Sequence, residues 1–230
     1  MIKILAQETA IKKTAKVWPL FLQQVKLGLS ERQVSRLLRR LLLSEGLDRR
    51  AFPFIVAASE QAAEPHHVPN GRVLQAGDSI KIDFGVTYES WKTDITRTVF
   101  LGKPSAEQKA LYTLVLRAQE RAAQKLRPGI PARDIDDICR GVIAKAGFGK
   151  FFIHSTGHGV GRAIHEPPYL TPSRRGNRLL AVGDVVTIEP GIYIKDKIGI
   201  RIEDMYEITA TGARDLSAGI PKDLNSNVLI

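Results

Sequence analysis

The fold of this chain is decided by residues 77–100, GDSIKIDFGVTYESWKTDITRTVF. Apolar and polar residues alternate over 80–84, and 95–100 is rich in β-branched and aromatic residues, so each run predicts a strand. Residues 85–90 between them predict a turn. The stretch is therefore predicted to be a β-hairpin that carries one carboxylate on each arm, Asp83 and Asp94.

Two aspartates on paired strands are unusual, because aspartate is depleted in strands and like charges repel. One interpretation is that each makes a turn hydrogen bond or a salt bridge. The other is that the pair supplies hard oxygen ligands to a divalent metal ion.

A second copy of the motif favours the metal. The pattern of residues 77–85 recurs at 183–191, with Glu189 in the position of Asp83. A further acid, Glu203, follows in the strand-like run 199–203. A duplicated fold would bring these four carboxylates to one centre.

The helices also occur in two sets. Residues 6–27 predict a helix that Pro19 could kink, and Ser30 begins a capping box for a helix to about residue 44. Ser105 caps a third predicted helix to about residue 125, and a fourth spans 132–146. A strand is predicted over 52–58. We therefore predict one α+β domain over residues 1–230, with an internal repeat of about 1–101 and 102–208.

The formal net charge of +10 raises the question of a polyanion partner. The basic residues are spread along the chain without a nucleic-acid motif, so a solvated basic surface is the favoured interpretation and a polyanion patch the alternative. No run of about 18 apolar residues predicts a membrane helix. Cys139 is the only cysteine, which fits a reducing compartment. We expect a cytoplasmic protein without a signal peptide; a homodimer is compatible with the sequence.

All five histidines fall in two segments near the acidic strands. His66 and His67 precede the first hairpin, and His154, His158 and His165 lie in the segment 154–166, HSTGHGVGRAIHE. A lone histidine is usually structural, but this grouping beside four matched acids predicts a functional site.

With these residues the chain resembles the pita-bread metallopeptidases, namely methionine aminopeptidase, aminopeptidase P and prolidase, with creatinase as a non-peptidase relative. The resemblance implies the pita-bread fold, with two pseudo-twofold-related halves that each hold two helices and an antiparallel β-hairpin. It implies two divalent metal ions, with manganese favoured over cobalt, zinc or iron. The implied ligands are Asp83, Asp94, His158, Glu189 and Glu203.

The resemblance also implies a mechanism, in which a hydroxide between the metals attacks the peptide bond before proline. Glu189 would be the general base, and His165 would stabilise the oxyanion. His66 and His154 would contact the substrate, and Tyr193 and Arg201 would occupy supporting positions near the substrate and the ligands.

Within the family, Thr93-Asp94-Ile95-Thr96-Arg97-Thr98 and the histidine segment resemble the Xaa-Pro branch. An Xaa-Pro exopeptidase acting on dipeptides or short peptides is therefore expected. Pro167-Pro168 and the absence of the N-terminal domain that prolidases usually carry favour the alternative of a methionine aminopeptidase. A creatinase-like hydrolase or a binding module is the second alternative.

Overall fold

The computed structural model of the protein describes residues 2–229, in which two pairs of helices pack on two main sheets, one of five antiparallel strands and one mixed sheet of four strands. The helices are α1 (Ile2–Leu22), α2 (Glu31–Ser44), α3 (Ala106–Ala123) and α4 (Ala132–Lys145). The strands of the first half are β1 (Arg49–Arg50), β2 (Ile55–Ala58), β3 (Ser79–Phe84), β4 (Val86–Tyr88), β5 (Trp91–Lys92) and β6 (Ile95–Leu101). The remaining strands are β7 (Gly157–Gly159), β8 (Glu166–Leu170), β9 (Val185–Ile188), β10 (Gly191–Ile194), β11 (Ile198–Arg201), β12 (Asp204–Ile208), β13 (Ala213–Asp215) and β14 (Val228–Leu229).

Helix starts agree with the predicted caps. At α2 the Ser30 hydroxyl accepts a hydrogen bond from the Gln33 backbone N–H, and the Gln33 side chain accepts one from Ser30 N. Ser105 and Gln108 form the same capping box at α3. The first helix lies earlier than predicted, at Ile2–Leu22, and Pro19 lies inside its last turn. No helix within residues 2–229 combines the length and the apolar character that crossing a membrane requires.

The predicted hairpin is formed by β3 and β6, which pair antiparallel with Asp83 opposite Thr96. They lie in a four-stranded sheet with the order β14-β6-β3-β2. The segment between them is more than a turn, because it contains β4 and β5, and these form a small sheet with β1. The strand expected over 52–58 is also shorter, since residues 52–54 leave the sheet to line a cavity and β2 begins at Ile55.

The second half has a five-stranded sheet with the order β13-β12-β9-β7-β8. Equivalent turns lead into β3 and β9. The Asp78 carboxylate accepts from Gln75 N at 2.8 Å, and the Asp184 carboxylate accepts from Ala181 N at 2.9 Å. The helices of each half pack on a separate apolar core, to which the other half contributes a few residues, and the halves meet at a backbone bridge between Thr96 and Glu203. This duplication sets matched carboxylates on either side of one seam.

Candidate active site

A cavity of about 630 Å³ opens at the seam between the two halves. Its lining includes nine of the ten predicted site residues: His66, Asp83, Asp94, His154, His158, His165, Glu189, Arg201 and Glu203. The tenth, Tyr193, is buried behind the lining, and its hydroxyl is hydrogen-bonded to two lining residues, His154 and Arg201. The sequence prediction therefore identified residues that the fold brings to one place.

The five predicted ligands form overlapping groups that could hold metal ions. One group is Asp83, Asp94 and Glu203, and another is His158, Glu189 and Glu203. A third group joins Asp94 and His158 to His165. In each group one potential ligand atom per residue lies within 4.8 Å of the others.

Strand ends position these ligands. Asp83 lies in β3, Asp94 directly precedes β6, Glu189 lies between β9 and β10, and Glu203 directly precedes β12. His158 lies in β7 between two glycines, where the chain is tightly packed. A Cβ at Gly157 would lie 2.0 Å from the carbonyl oxygen of Thr187, so only glycine allows β7 to approach β9 this closely.

The burial of the acids suits them to binding a cation. Asp83, Asp94 and Glu203 are each at most 8% exposed, and Asp83 Oδ1 has no hydrogen-bond partner. Burial, followed by repulsion from Glu203 and Asp83, raises the pKa of Asp94 well above its usual value. Burial, followed by repulsion from Glu189 and Asp83, does the same to the pKa of Glu203. Carboxylate oxygens with one imidazole nitrogen suit a divalent cation, so this donor set fits the divalent metal that the resemblance implies.

His158 is oriented to serve as a ligand. Its Nδ1 donates to the Gly159 carbonyl at 3.1 Å, and its Nε2 lies 3.2 Å from Glu189 Oε1 and 3.7 Å from Asp94 Oδ2. Without a cation a proton on Nε2 donates to Glu189, and a bound metal ion would take the place of that proton. Burial would raise the pKa of Glu189, but the hydrogen bond and charge of His158 outweigh it and lower the pKa to about 2. Glu189 is therefore a carboxylate at neutral pH.

Both ring nitrogens of His154 are hydrogen-bonded within the protein. Its Nδ1 donates to the Ser155 carbonyl at 2.7 Å, and its Nε2 accepts from the Tyr193 hydroxyl at 2.8 Å. Both ring nitrogens are occupied, so His154 has no N–H left for a substrate carboxylate and offers the cavity only its ring carbons.

Arg201 is also committed to the protein rather than to a substrate. Its guanidinium donates to Thr96 Oγ1, the Pro65 carbonyl, the Tyr193 hydroxyl and Asp83 Oδ2, the last at 2.5 Å. These bonds link Asp83 through Arg201 and Tyr193 to His154.

His165 and His66 are the histidines with free access to the cavity, and both are exposed. The His165 ring meets the His158 ring edge-on, with centroids 4.2 Å apart. Partial burial, followed by the neighbouring His158, lowers the pKa of His165. His67 also borders the cavity but is buried, and its Nε2 lies 2.7 Å from Glu31 Oε2.

Two parts of the cavity were missed from sequence. The Arg175 guanidinium lies 3.7 Å from the centroid of the Tyr169 ring, and both residues line the cavity. Residues 52–55 form an apolar wall. Arg175 lies in a short helical turn whose sequence has no pattern that indicates a binding residue. The apolar wall falls within the strand predicted over 52–58, so the sequence did not indicate that it faces a cavity.

Comparison with known proteins gives consistent matches over most of the chain. The profile of metallopeptidase family M24 matches residues 6–210. The Xaa-Pro dipeptidase of Pyrococcus horikoshii is 40% identical over 196 residues, which are 85% of this chain and 55% of that protein. This chain thus spans about half the length of that relative.

Solved structures match with the same partial coverage. The prolidase from Pyrococcus furiosus superposes with a TM-score of 0.90 at 38% identity, over 94% of this chain and 64% of that one. The X-Pro aminopeptidase from Thermotoga maritima gives a TM-score of 0.94 at 37% identity, over 98% of this chain and 63% of that one.

Proposed function

Because this chain belongs to metallopeptidase family M24, we propose that it is a metal-dependent exopeptidase that hydrolyses the Xaa-Pro bond of dipeptides or short peptides. The observation that carries the proposal is the convergence of Asp83, Asp94, His158, Glu189 and Glu203 from both halves on one cavity. The choice of an Xaa-Pro substrate is supported by the activities for which the similar dipeptidase and aminopeptidase are named.

The five ligands would hold two divalent ions, and we propose manganese. Asp83, Asp94 and Glu203 would hold one ion and His158, Glu189 and Glu203 the other, with Asp94 close to both. When bound, such ions supply Lewis acidity that lowers the pKa of water and polarises a peptide carbonyl.

Three residues of the chain would then handle the substrate. Glu189 accepts the proton that the attacking water loses and returns it to the departing prolyl nitrogen. The ring N–H of His165 donates to the carbonyl oxygen as negative charge develops there. His66 faces the same cavity and would contact the prolyl side of the peptide.

Arg175 would bind the carboxylate of a dipeptide. Among the cavity-lining residues that the structure describes, Arg175 and Arg201 are the arginines, and Arg201 has its guanidinium bonded to four protein atoms. Arg175 contacts the face of Tyr169 and keeps its N–H groups available for a carboxylate.

Arg201, Tyr193 and His154 would act through the ligands rather than on the substrate. Their hydrogen bonds hold Asp83 and give His154 a single tautomer, and partners of this kind affect metal affinity strongly.

We also propose that residues 1–230 form one domain with a repeat of about 1–101 and 102–208. A cytoplasmic location and a homodimer remain predictions, which cell fractionation and sedimentation would check.

The test is hydrolysis by the manganese-loaded protein of an Xaa-Pro dipeptide, a longer Xaa-Pro peptide and a methionyl-alanine peptide. A chelated sample and Asp94→Asn are the controls. We expect cleavage of the proline peptides in the loaded wild type only. Cleavage of the methionyl peptide alone, or of none of the three with metal bound, would overturn the proposal.

A further inference from the structure

Lys81 is a fully buried lysine that takes no part in the proposed reaction. Its Nζ donates to three backbone carbonyls, those of Ala62 at 2.9 Å, Glu64 at 2.6 Å and Pro65 at 3.3 Å. A buried cation is costly unless it is hydrogen-bonded, and an ammonium has three N–H donors. Lys81 thus commits all of its donors to one short piece of backbone.

That piece of backbone leads directly into the cavity. The short 3-10 helix Ser59–Ala63 ends there, and the carbonyls at the end of a helical turn need partners from outside the turn. The Pro65 carbonyl belongs to the peptide bond that carries the His66 nitrogen. The Lys81 side chain therefore holds the peptide group that joins Pro65 to His66.

Strand β11 supports the same backbone from the other side. A Cβ at Gly199 would lie 1.7 Å from the Ala62 carbonyl oxygen, so the absent side chain lets the segment pack directly on the strand. Arg201 adds a second hydrogen bond to the Pro65 carbonyl, at 3.3 Å. Residues 62–65 are held between β3 and β11.

The chain beyond His66 is anchored independently. Glu31, fully buried at the start of α2, accepts from Ala58 N at 2.9 Å and Asn70 N at 3.1 Å and lies 2.7 Å from His67 Nε2. Loops are usually the mobile parts of a protein. Here His66 lies between two buried charged anchors and faces the cavity from a fixed support.

We propose that Lys81 is a positioning residue that holds residues 62–65 so that His66 is preformed for substrate binding. It sets the affinity for substrate without touching the substrate or a metal ligand. The proposal rests on the proposed function, because it assumes that a peptide binds against His66. If Lys81 only stabilised the fold, replacing it would change KM, kcat and the Kd for Mn²⁺ together, as any other destabilising substitution in the core would.

The test uses the full chain with Lys81→Met, which removes the donors and retains the length of the side chain. Val99→Ala is the matched control, since Val99 is fully buried in the neighbouring strand β6 and packs in the apolar core away from the loop. KM and kcat on an Xaa-Pro dipeptide, the Kd for Mn²⁺ and the melting temperature are measured for each. The His66 ring proton is followed by NMR without substrate, and His66→Gln assigns it among five histidines.

For Lys81→Met we expect KM to rise about tenfold, with kcat and the Kd for Mn²⁺ within about threefold of wild type and a shifted or broadened His66 resonance. Val99→Ala should lower the melting temperature and leave KM and the resonance unchanged. An unchanged KM and resonance in Lys81→Met, or the same changes in Val99→Ala, would overturn the proposal.

Two further measurements keep the outcome decisive. If Lys81→Met does not fold, Lys81→Gln removes the charge and one donor, and the same comparison applies. If wild type cleaves no Xaa-Pro peptide, the proposed function fails, whereas the His66 resonance still decides whether Lys81 fixes the loop.

Discussion

Thr96 and Glu203 join the two halves of the protein at its candidate metal centre. The Thr96 hydroxyl donates to Glu203 Oε2 at 2.7 Å, and Glu203 N donates to the Thr96 carbonyl at 3.0 Å. The carboxylate that belongs to both main ligand groups is thus aimed by a residue of the opposite half.

Replacing Thr96 with valine should weaken metal binding. The substitution keeps the shape of the side chain but removes the hydroxyl that orients Glu203, and the loss of such a partner costs about 10- to 100-fold in metal affinity. Titration calorimetry with Mn²⁺ measures it. Thr14→Val, at a buried threonine in α1, is the control and should bind Mn²⁺ like wild type. Equal affinities for all three proteins would contradict the role given to Thr96.

Asp94→Asn should act in opposite directions on stability and on metal binding. In the metal-free protein it removes a buried acid whose ionisation is opposed by burial and by the neighbouring carboxylates, so the free energy of unfolding should rise by about 1 kcal/mol. With metal, a ligand is lost and turnover should fall to background. Urea unfolding in the presence of a chelator measures the change in stability, and an activity assay with Mn²⁺ measures the loss of turnover. A destabilised metal-free variant would mean that the acids do not repel one another.

The buried pair of Arg97 and Asp204 should matter far more than an exposed pair of equal length. Arg97 Nη2 lies 2.6 Å from Asp204 Oδ1 with both side chains buried, and Lys197 lies 2.6 Å from Glu107 with both about half exposed. Arg97→Met should cost about 3–5 kcal/mol, because it removes one of the two cations paired with the buried Asp204 and leaves the carbonyls of Glu203 and Ile220 without the guanidinium donor. Lys197→Met should cost about 0–1 kcal/mol. Urea denaturation compares them, and similar losses would be the contrary result.

Asp78 should contribute stability that depends on pH. Burial alone would raise the pKa of Asp78, but hydrogen bonds from Arg72, Ser59 and Gln75 N together lower it. A lowered carboxyl pKa stabilises the fold above the unfolded value of about 4, and this contribution is lost as the pH falls through the folded value. Asp78→Asn should therefore cost about 1–3 kcal/mol at pH 6 and progressively less toward pH 3. A difference that stays constant with pH would argue against this ionic role.

Arg175→Ala should separate a dipeptidase from an aminopeptidase. Without the cation at the mouth of the cavity, KM for an Xaa-Pro dipeptide should rise about tenfold or more, since a charge-assisted hydrogen bond to its carboxylate is lost. KM for a longer Xaa-Pro peptide, whose carboxylate lies further away, should change little. Steady-state kinetics on the two substrates measure the ratio. An equal rise for both would place the Arg175 contact elsewhere on the peptide.

The candidate ligands could be predicted from the sequence because they lie in repeated motifs whose local backbone hydrogen bonds fix the strands. The turn that Asp78 closes recurs at Asp184, and each copy fixes a strand whose end presents an acid to the seam. The capping boxes at Ser30 and Ser105 likewise act within three residues, so their helices could be predicted.

The supporting contacts could not be predicted in this way. The occupied nitrogens of His154 depend on Tyr193, 39 residues later in the chain. In the sequence Lys81 looks like any polar residue of an alternating strand. Its buried hydrogen bonds exist only once residues 62–65 are packed between β3 and β11. Such partners are set by tertiary packing, which no local pattern encodes.

The seam between the halves also bears on the order of folding. The hydrogen bond between Thr96 and Glu203 closes a loop of 107 residues, whereas β3 and β6 pair within one hairpin. Contacts this distant in sequence form slowly, because the entropy of loop closure must be overcome first. The candidate metal centre would therefore be completed late, after each half has its own hairpin and helices, and a nascent chain would bring all five candidate ligands together only when synthesis has passed Glu203.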